Sequence, residues 1–518
     1  MSVIEGLKRA VASNPEKTAT ICNGARLNFR ETGERINRLS NALRRLGIAP
    51  GDRVAILSLN CHRFLELYYG VPQTGAAVVP INFRIPASEV KYILDHSEAR
   101  ALAVDAQLAP MIDSLRPQLQ VEYFILLSDD RREGYYCYEE LIACELPEFE
   151  PIEISDDDLL GLFYTSGTTA EPKGVMLTHR NVLANVAHGE AVFEYLPDDI
   201  FLHTAPMFHL ADGAAVFSNI TRAATQAFIP RFEPKRVLET ISRERITGMV
   251  LVPTMINFLL QEPDFADYDL SSLRQINYGA SPIAPELLRR AMNTFKCRFA
   301  QGYGLSEASP LLTVLLPEDH VVMDEKSARR LASCGKPVPG VEVRVVDLDN
   351  RDVAPGEVGE IIARGPNIMA GYWKRPAETE ATIVDGWLRT GDLATVDEDG
   401  YIYLVDRKKD MIVTGGENVY STEVEAAIYA HPAIKEAAVI GVPDADWGEA
   451  VHACVTLRDG RGVTPEELIE FCRERLAHYK VPRSVEIIEG ELPKGGTGKI
   501  LKKDLRERYW HGRARRVG

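Results

Sequence analysis

Eleven residues, Tyr164-Thr-Ser-Gly-Thr-Thr-Ala-Glu-Pro-Lys-Gly174, gather four aliphatic hydroxyls, two glycines and one lysine directly behind the apolar run LLGLF. This is phosphate-binding chemistry. Glycine lets backbone N–H groups approach oxygens closely, hydroxyls donate hydrogen bonds, and an ammonium offsets polyphosphate charge. Thr165, Ser166, Gly167, Thr168, Thr169 and Lys173 are therefore candidate nucleotide ligands. The string is not a Walker A loop, which requires G-x-x-x-x-G-K-[ST]. Here Lys173 precedes the closing glycine and Ser or Thr does not follow it.

Six further strings carry chemistry of the same kind. Gln301-Gly-Tyr-Gly-Leu-Ser-Glu307 sets an aromatic ring, a hydroxyl and a carboxylate beside small residues. Asn277-Tyr-Gly-Ala-Ser-Pro282 is a strand-to-helix turn of small residues, and Thr390-Gly-Asp392 puts a carboxylate in a turn. Asp406-Arg-Lys-Lys-Asp-Met-Ile-Val-Thr-Gly-Gly-Glu-Asn418 is a charge cluster running into a glycine pair, and Pro493-Lys-Gly-Gly-Thr-Gly-Lys-Ile500 ends on a lysine in a glycine-rich loop. Pro206-Met-Phe-His-Leu210 offers His209, but no second histidine stands at helical or strand spacing to make it a metal ligand. Taken singly, each of these also suits a surface turn or a solvated charge cluster.

The elements that must position these residues are legible in outline. From Arg53 to Asn82 a short apolar strand, a helical stretch and a second strand repeat the grammar of a parallel βαβ unit, and RITGMVLVPTMINFLLQ and LRQINYGASPIAPELLRRAM follow it. Beyond about residue 340 the pattern becomes short strands punctuated by Asp385-Gly386 and Asp399-Gly400, which read as hairpins. The last hundred or so residues return to mixed helix and strand. Thr422 with Glu425 predicts a capping box there, and Thr464-Pro-Glu-Glu467 a second one with proline at the first helical position. The expected fold is α/β: a large N-terminal domain (1–408) of layered βαβ subdomains plus a β-rich subdomain, and a small α+β domain (409–518).

Composition narrows the function. A chain of 518 residues exceeds a single hydrophobic core, and 45% apolar with 26% charged residues is ordinary for a globular protein. A net charge of −16 without a long basic run argues against nucleic acid and against general attraction to anionic membranes, leaving peripheral association at most. No run of eighteen apolar residues exists, and charge interrupts the apolar stretch at the start, so neither a membrane span nor a signal peptide is expected. Eight scattered cysteines without a Cys-x-x-Cys pair suit free thiols in a reducing cytoplasm.

Together the strings resemble, over nearly the whole chain, the adenylate-forming superfamily of acyl-CoA synthetases, peptide-synthetase adenylation domains and firefly luciferase. The resemblance implies an enzyme that takes ATP, Mg²⁺, a carboxylic acid and coenzyme A. It implies that residues 165–169 and Lys173 orient the β- and γ-phosphates. Tyr303, between Gly302 and Gly304, would stack on adenine, Ser306 would meet the α-phosphate, and Glu307 would be both a catalytic residue and the Mg²⁺ ligand. Gly279, Ala280 and Ser281 would line the purine, Asp392 the ribose hydroxyls, and Arg407 the nucleotide. Phe208, His209, Tyr278, Gly279 and Gly304 would border the acyl pocket, with His209 at a position tied to catalysis. Lys409 would be the hinge of a mobile C-terminal domain, Gly415 and Gly416 would approach the pantetheine arm, and Lys499 would bridge the carboxylate and the α-phosphate. Serine stands at 306 where the family more often has threonine, which keeps the hydroxyl.

The implied activity is ligation through an acyl-adenylate with release of pyrophosphate. A medium- or long-chain fatty acid is the first choice of substrate and an aryl or cyclic acid the second. An amine or a carrier-protein thiol remains an alternative acceptor to coenzyme A, and a catalytically silent nucleotide-binding protein is the alternative from another class. Dimers are common in the superfamily, so the oligomeric state stays open.

Overall fold

The apolar runs of the first half fold as short strands buried on both faces, the burial that parallel sheets impose. In a computed structural model, which describes residues 2–165, 171–494 and 500–510, Val54, Ile56, Val78, Val79, Leu102 and Val104 are fully buried. Arg53–Leu57 pairs in parallel with Ala77–Pro80 across the helix His62–Gln73, as the βαβ grammar requires. By the density of internal contacts the chain divides into two units, residues 1–343 with 363–388, and residues 344–362 with 389–518. The sequence pattern puts the boundary at 408/409.

The first unit holds two large sheets. One runs in the order Gly371–Tyr372, Lys173–Thr178, Leu159–Thr165, Ala77–Pro80, Arg53–Leu57, Ala101–Asp105, Tyr123–Leu127, Tyr136–Cys137. Its core joins Ala55, Leu57, Val79, Ile93, Leu102, Ile112 and Leu162. The other has Ile200–His203, Gly248–Leu251, Gln275–Gly279 and Arg298–Gly304 as successive parallel neighbours, and then turns antiparallel into Leu311–Leu315. Both expected βαβ units in this region are present, with helices Pro253–Leu259 and Pro285–Phe295 covering a core of Leu251, Met255, Ile276, Leu288 and Phe299.

The second unit centres on a long antiparallel pair, Ile434–Asp444 with Gly448–Leu457, the two strands expected from EAAVIGV and AVHACVTL. Helices Ser421–Tyr429 and Pro465–Arg473 bury Val424, Ile428, Leu468 and Cys472 against it. The Thr464 capping box forms: its hydroxyl accepts from Glu467 N–H, and Glu467 accepts from Thr464 N–H. The expected box at Thr422 does not. That helix begins two residues earlier, after Tyr420, Thr422 donates to the Val405 carbonyl, and the Glu425 carboxylate is held elsewhere. All eight cysteines are free thiols. Among the described residues no helix is long and apolar enough to cross a membrane.

Candidate active site

Strands Leu159–Thr165 and Lys173–Thr178 are antiparallel neighbours, and Thr165 opposite Lys173 is their last rung. The candidate phosphate loop is thus the connection between two rigid strands, one of which carries the lysine. Ser166, Gly167, Thr168 and Thr169 lie outside the described residues. At the rung below, Gly174 faces Tyr164, where a Cβ would come within 3.1 Å of the ring. The Tyr164 hydroxyl is 2.7 Å from His96 Nδ1.

The short strand Gly371–Tyr372 pairs with the lysine strand through Gly371 opposite Met176 and Tyr372 opposite Val175. Trp373 N–H donates to the Gly174 carbonyl at 2.8 Å. This pairing brings Tyr372 under Lys173, whose Nζ lies 4.9 Å from the ring centroid and forms an ion pair with Glu378. The Tyr372 hydroxyl donates to Glu307 Oε1 at 2.8 Å, and Met369 N–H donates to the Glu307 carbonyl at 2.8 Å. Burial, and then the charge of Glu307, push the Tyr372 phenol upward, so it keeps its proton and remains the donor. Lys173 and Glu307, far apart in sequence, therefore share one tyrosine. Glu307 offers the hard carboxylate oxygen that Mg²⁺ takes together with substrate phosphates, so the residues present fit that ion.

Gly279 and Gly302 are partners across two parallel strands, and a Cβ on Gly279 would collide with the Gly302 carbonyl oxygen. A Cβ on Gly304 would collide with the Pro310 carbonyl in the same way. Glycine is required at both because backbone occupies the space. Ala280 leaves the strand with φ of 64°, and Ser281 follows, half-buried. Tyr303 is buried, and Ser306 opens the turn that carries Glu307. Tyr278, expected at the acyl pocket, lies in the core with Ile276 and Leu288, its hydroxyl donating to His320 Nε2 at 3.0 Å. The opposite face of that strand carries Gln275, Asn277 and Gly279. The Tyr278 ring thus packs away from the glycine face, leaving its backbone as what it could present there.

His209 caps the helix Leu210–Thr221, its Nδ1 accepting from Ala211 N–H at 3.2 Å. Phe208 is buried edge-on against Phe83, with centroids 5.5 Å apart. Asn60 fixes this segment, donating to the Ala205 carbonyl and accepting from Met207 N–H, both at 2.8 Å.

In the second unit, Asp392 faces Arg407 across a hairpin, with carboxylate and guanidinium 3.0 Å apart. Thr390 Oγ1 accepts from Asp392 N–H at 3.1 Å and donates to the Ile361 carbonyl at 2.8 Å, which sets the turn. Lys409 follows, and burial, reinforced by nearby Arg407, pushes its ammonium downward. Gly415 and Gly416 both have positive φ, 60° and 87°, in the turn before Glu417–Val419. A Cβ on Gly415 would strike the Trp447 ring, whereas Gly416 has open space beside it. Lys499 lies outside the described residues. The helix just after it is fastened to residues that follow Lys409: Lys502 Nζ lies 2.7 Å from Glu425 and 2.6 Å from Ser421 Oγ, and Arg506 meets Asp410 at 2.5 Å. Ser421 in turn donates its hydroxyl to Asp406 at 2.7 Å.

Sequence reasoning missed Tyr372, Glu378, Asn60 and Lys502. Glycine-tyrosine in GYWKRP was a visible signal for the first, but nothing local says which carboxylate a tyrosine will meet. His452, Cys454 and Glu486 form a metal-ligand type cluster in the second unit. Their polar atoms are already engaged by Tyr509, which bonds His452 Nε2 at 2.9 Å and Glu486 at 2.7 Å, and by Ser484. They read as a satisfied network. A groove of about 430 Å³ lined by Leu7, Val11, Arg30, Phe149 and Ile152 contains none of the motif residues.

Comparison with known proteins gives the family. The family model described as AMP-binding enzyme matches residues 7–373, and that of the AMP-binding enzyme C-terminal domain matches residues 423–499. A feruloyl-CoA synthase from Amycolatopsis sp is 38% identical over 504 residues, covering 97% of this chain and 98% of that protein. The long-chain-fatty-acid–CoA ligase FadD13 of Mycobacterium tuberculosis is 36% identical, covering 93% of both. Among solved structures, the amide bond synthetase McbA from Marinactinospora thermotolerans superposes with a TM-score of 0.87 at 31% identity, over 98% of this chain and 99% of that one.

Proposed function

This chain belongs to the AMP-binding enzyme family, the AMP-forming acyl-CoA synthetases among them, and we propose that it activates a medium- or long-chain fatty acid as its acyl-AMP and passes the acyl group to coenzyme A. The observation that carries the reading is the meeting of Lys173, Tyr372 and Glu307 beside the phosphate-loop strands. It supports a reading in which Lys173 serves the polyphosphate and Glu307 its metal, the two joined through Tyr372.

In the first half-reaction the substrate carboxylate attacks the α-phosphorus of ATP in line and pyrophosphate leaves. Two anions must approach one another, and fixed cations offset that repulsion; one such group is typically worth roughly 10²–10³ in rate. Lys173 and residues 165–169 serve the leaving phosphates, and Lys499 serves the carboxylate and α-phosphate. Glu307 would hold Mg²⁺, which when bound supplies further screening of the phosphate charge. Tyr303, Gly279, Ala280 and Ser281 border the adenine, Ser306 the α-phosphate, Asp392 the ribose, and Arg407 the nucleotide. Phe208, His209 and Gly304 border the acyl group. In the second half-reaction the thiol of coenzyme A attacks the acyl carbonyl and AMP leaves, with Gly415 and Gly416 beside the pantetheine arm and Lys409 as the pivot between the two steps. The free thiols support a reducing compartment such as the cytoplasm.

The feruloyl-CoA synthase relative, at 38% identity, supports a second reading in which the acid is aromatic. A panel of acids graded in length and shape, scored by pyrophosphate release with coenzyme A, with amines, and with neither, tests acid and acceptor together. A fatty acid turning over only with coenzyme A is expected. Release restricted to aryl acids, or amide products, would replace this assignment. Lys499→Ala should abolish adenylation yet spare thioester formation from supplied acyl-AMP, and Lys409→Pro should do the reverse.

A further inference from the structure

We propose that Tyr372 is a positioning residue that holds the Glu307 carboxylate and the Lys173 ammonium together, so that cation binding and polyphosphate binding are coupled through one side chain. The inference rests on the assignment of Glu307 to the metal and Lys173 to the phosphates.

Tyr372 makes two contacts of different kinds. Its hydroxyl donates to Glu307 Oε1, and a carboxylate held by one oxygen keeps the other for a cation. Its ring lies beneath the Lys173 ammonium, an attraction that needs no hydroxyl. The residue itself is fixed. Its strand pairs with the lysine strand, and its N–H donates to Thr379 Oγ1 at 2.9 Å, on the helix that also carries Glu378, the ion-pair partner of Lys173. A tyrosine that merely filled the core could satisfy its hydroxyl with any carbonyl. Here the acceptor is the carboxylate assigned to the metal.

The two contacts separate by substitution. Phenylalanine keeps the ring and drops the hydroxyl, whereas leucine drops both. The test is calorimetric titration of the full chain with α,β-methylene ATP, in excess Mg²⁺ and again in EDTA. In the unaltered protein Mg²⁺ is expected to strengthen binding. Tyr372→Phe is expected to leave metal-free affinity within about twofold and to cut the Mg²⁺ enhancement about tenfold, the scale of a hydrogen bond to a charged group. Tyr372→Leu is expected to lower the metal-free affinity as well. Glu307→Gln is the control that removes the assigned ligand.

If Glu307→Gln loses the enhancement while Tyr372→Phe keeps it in full, the proposal is overturned and the metal assignment stands. If Glu307→Gln keeps the enhancement, the metal assignment fails and the proposal with it. Equal losses in Mg²⁺ and in EDTA for Tyr372→Phe would show a purely structural role and also overturn the proposal. Thermal unfolding of each variant excludes loss of fold, and the near-isosteric phenylalanine keeps the test usable if the leucine variant does not fold.

Discussion

Replacing Lys502 with methionine should loosen the second unit by about 3–5 kcal/mol at neutral pH, the usual cost of removing one partner from a buried ion pair. The structure gives the reason. Lys502 and Glu425 are both only 15% exposed, their charges are 2.7 Å apart, and Asp406 and Asp410 add two more carboxylates to the same neighbourhood. Methionine matches the length of the stem but leaves Glu425 buried without its cation. Hydrogen exchange of the amides in Gly448–Leu457 reads that loss as a fall in protection of about 10²–10⁴-fold, at 1.36 kcal/mol per decade. Adding Glu425→Gln should restore at least about tenfold, because it removes the stranded charge.

The pH dependence has a definite sign. Burial already pushes the Glu425 carboxyl up, and without Lys502 it rises further above its unfolded value. The folded variant then binds more protons than the unfolded one, so its deficit is greatest above that raised pKa and shrinks as pH falls through it. A drop in protection under tenfold, or a deficit that grows on acidification, would refute the reasoning.

His179 is buried, its Nδ1 accepts from Val3 N–H at 3.3 Å, and burial pushes it down to about 4. The unfolded chain therefore binds the extra proton first, and stability present above about pH 6.5 is lost as pH falls toward 4, by up to about 3 kcal/mol. His179→Asn should flatten urea-unfolding midpoints across that window. Thr464→Ala removes a formed capping box and should cost about 1 kcal/mol in unfolding of the second unit. Gly279→Ala forces a Cβ onto the Gly302 carbonyl and should cost about 1–3 kcal/mol with weakened ATP affinity by calorimetry, whereas the open position at Gly386 should show only the strain of its positive φ.

The parallel strands, the Thr464 helix start and the strand that leads into the candidate phosphate loop were legible because local pattern and local capping decide them. Where local pattern falls short, tertiary contacts decide instead. Glu425 has the spacing of a capping box, yet a buried lysine from the C-terminal helix claims it. Strand alternation turns the Tyr278 ring into the core beside Ile276, a placement that the small residues around it do not announce. Tyr372 was invisible as a partner of Glu307 because the two meet only once a two-residue strand docks on another sheet edge.

The closing rung between Thr165 and Lys173 makes the cation a fixture of the sheet, separable from the hydroxyl-bearing residues between the strands. Exchanging positions 166–170 therefore leaves both partners of that rung, and the ammonium's address over Tyr372, in place.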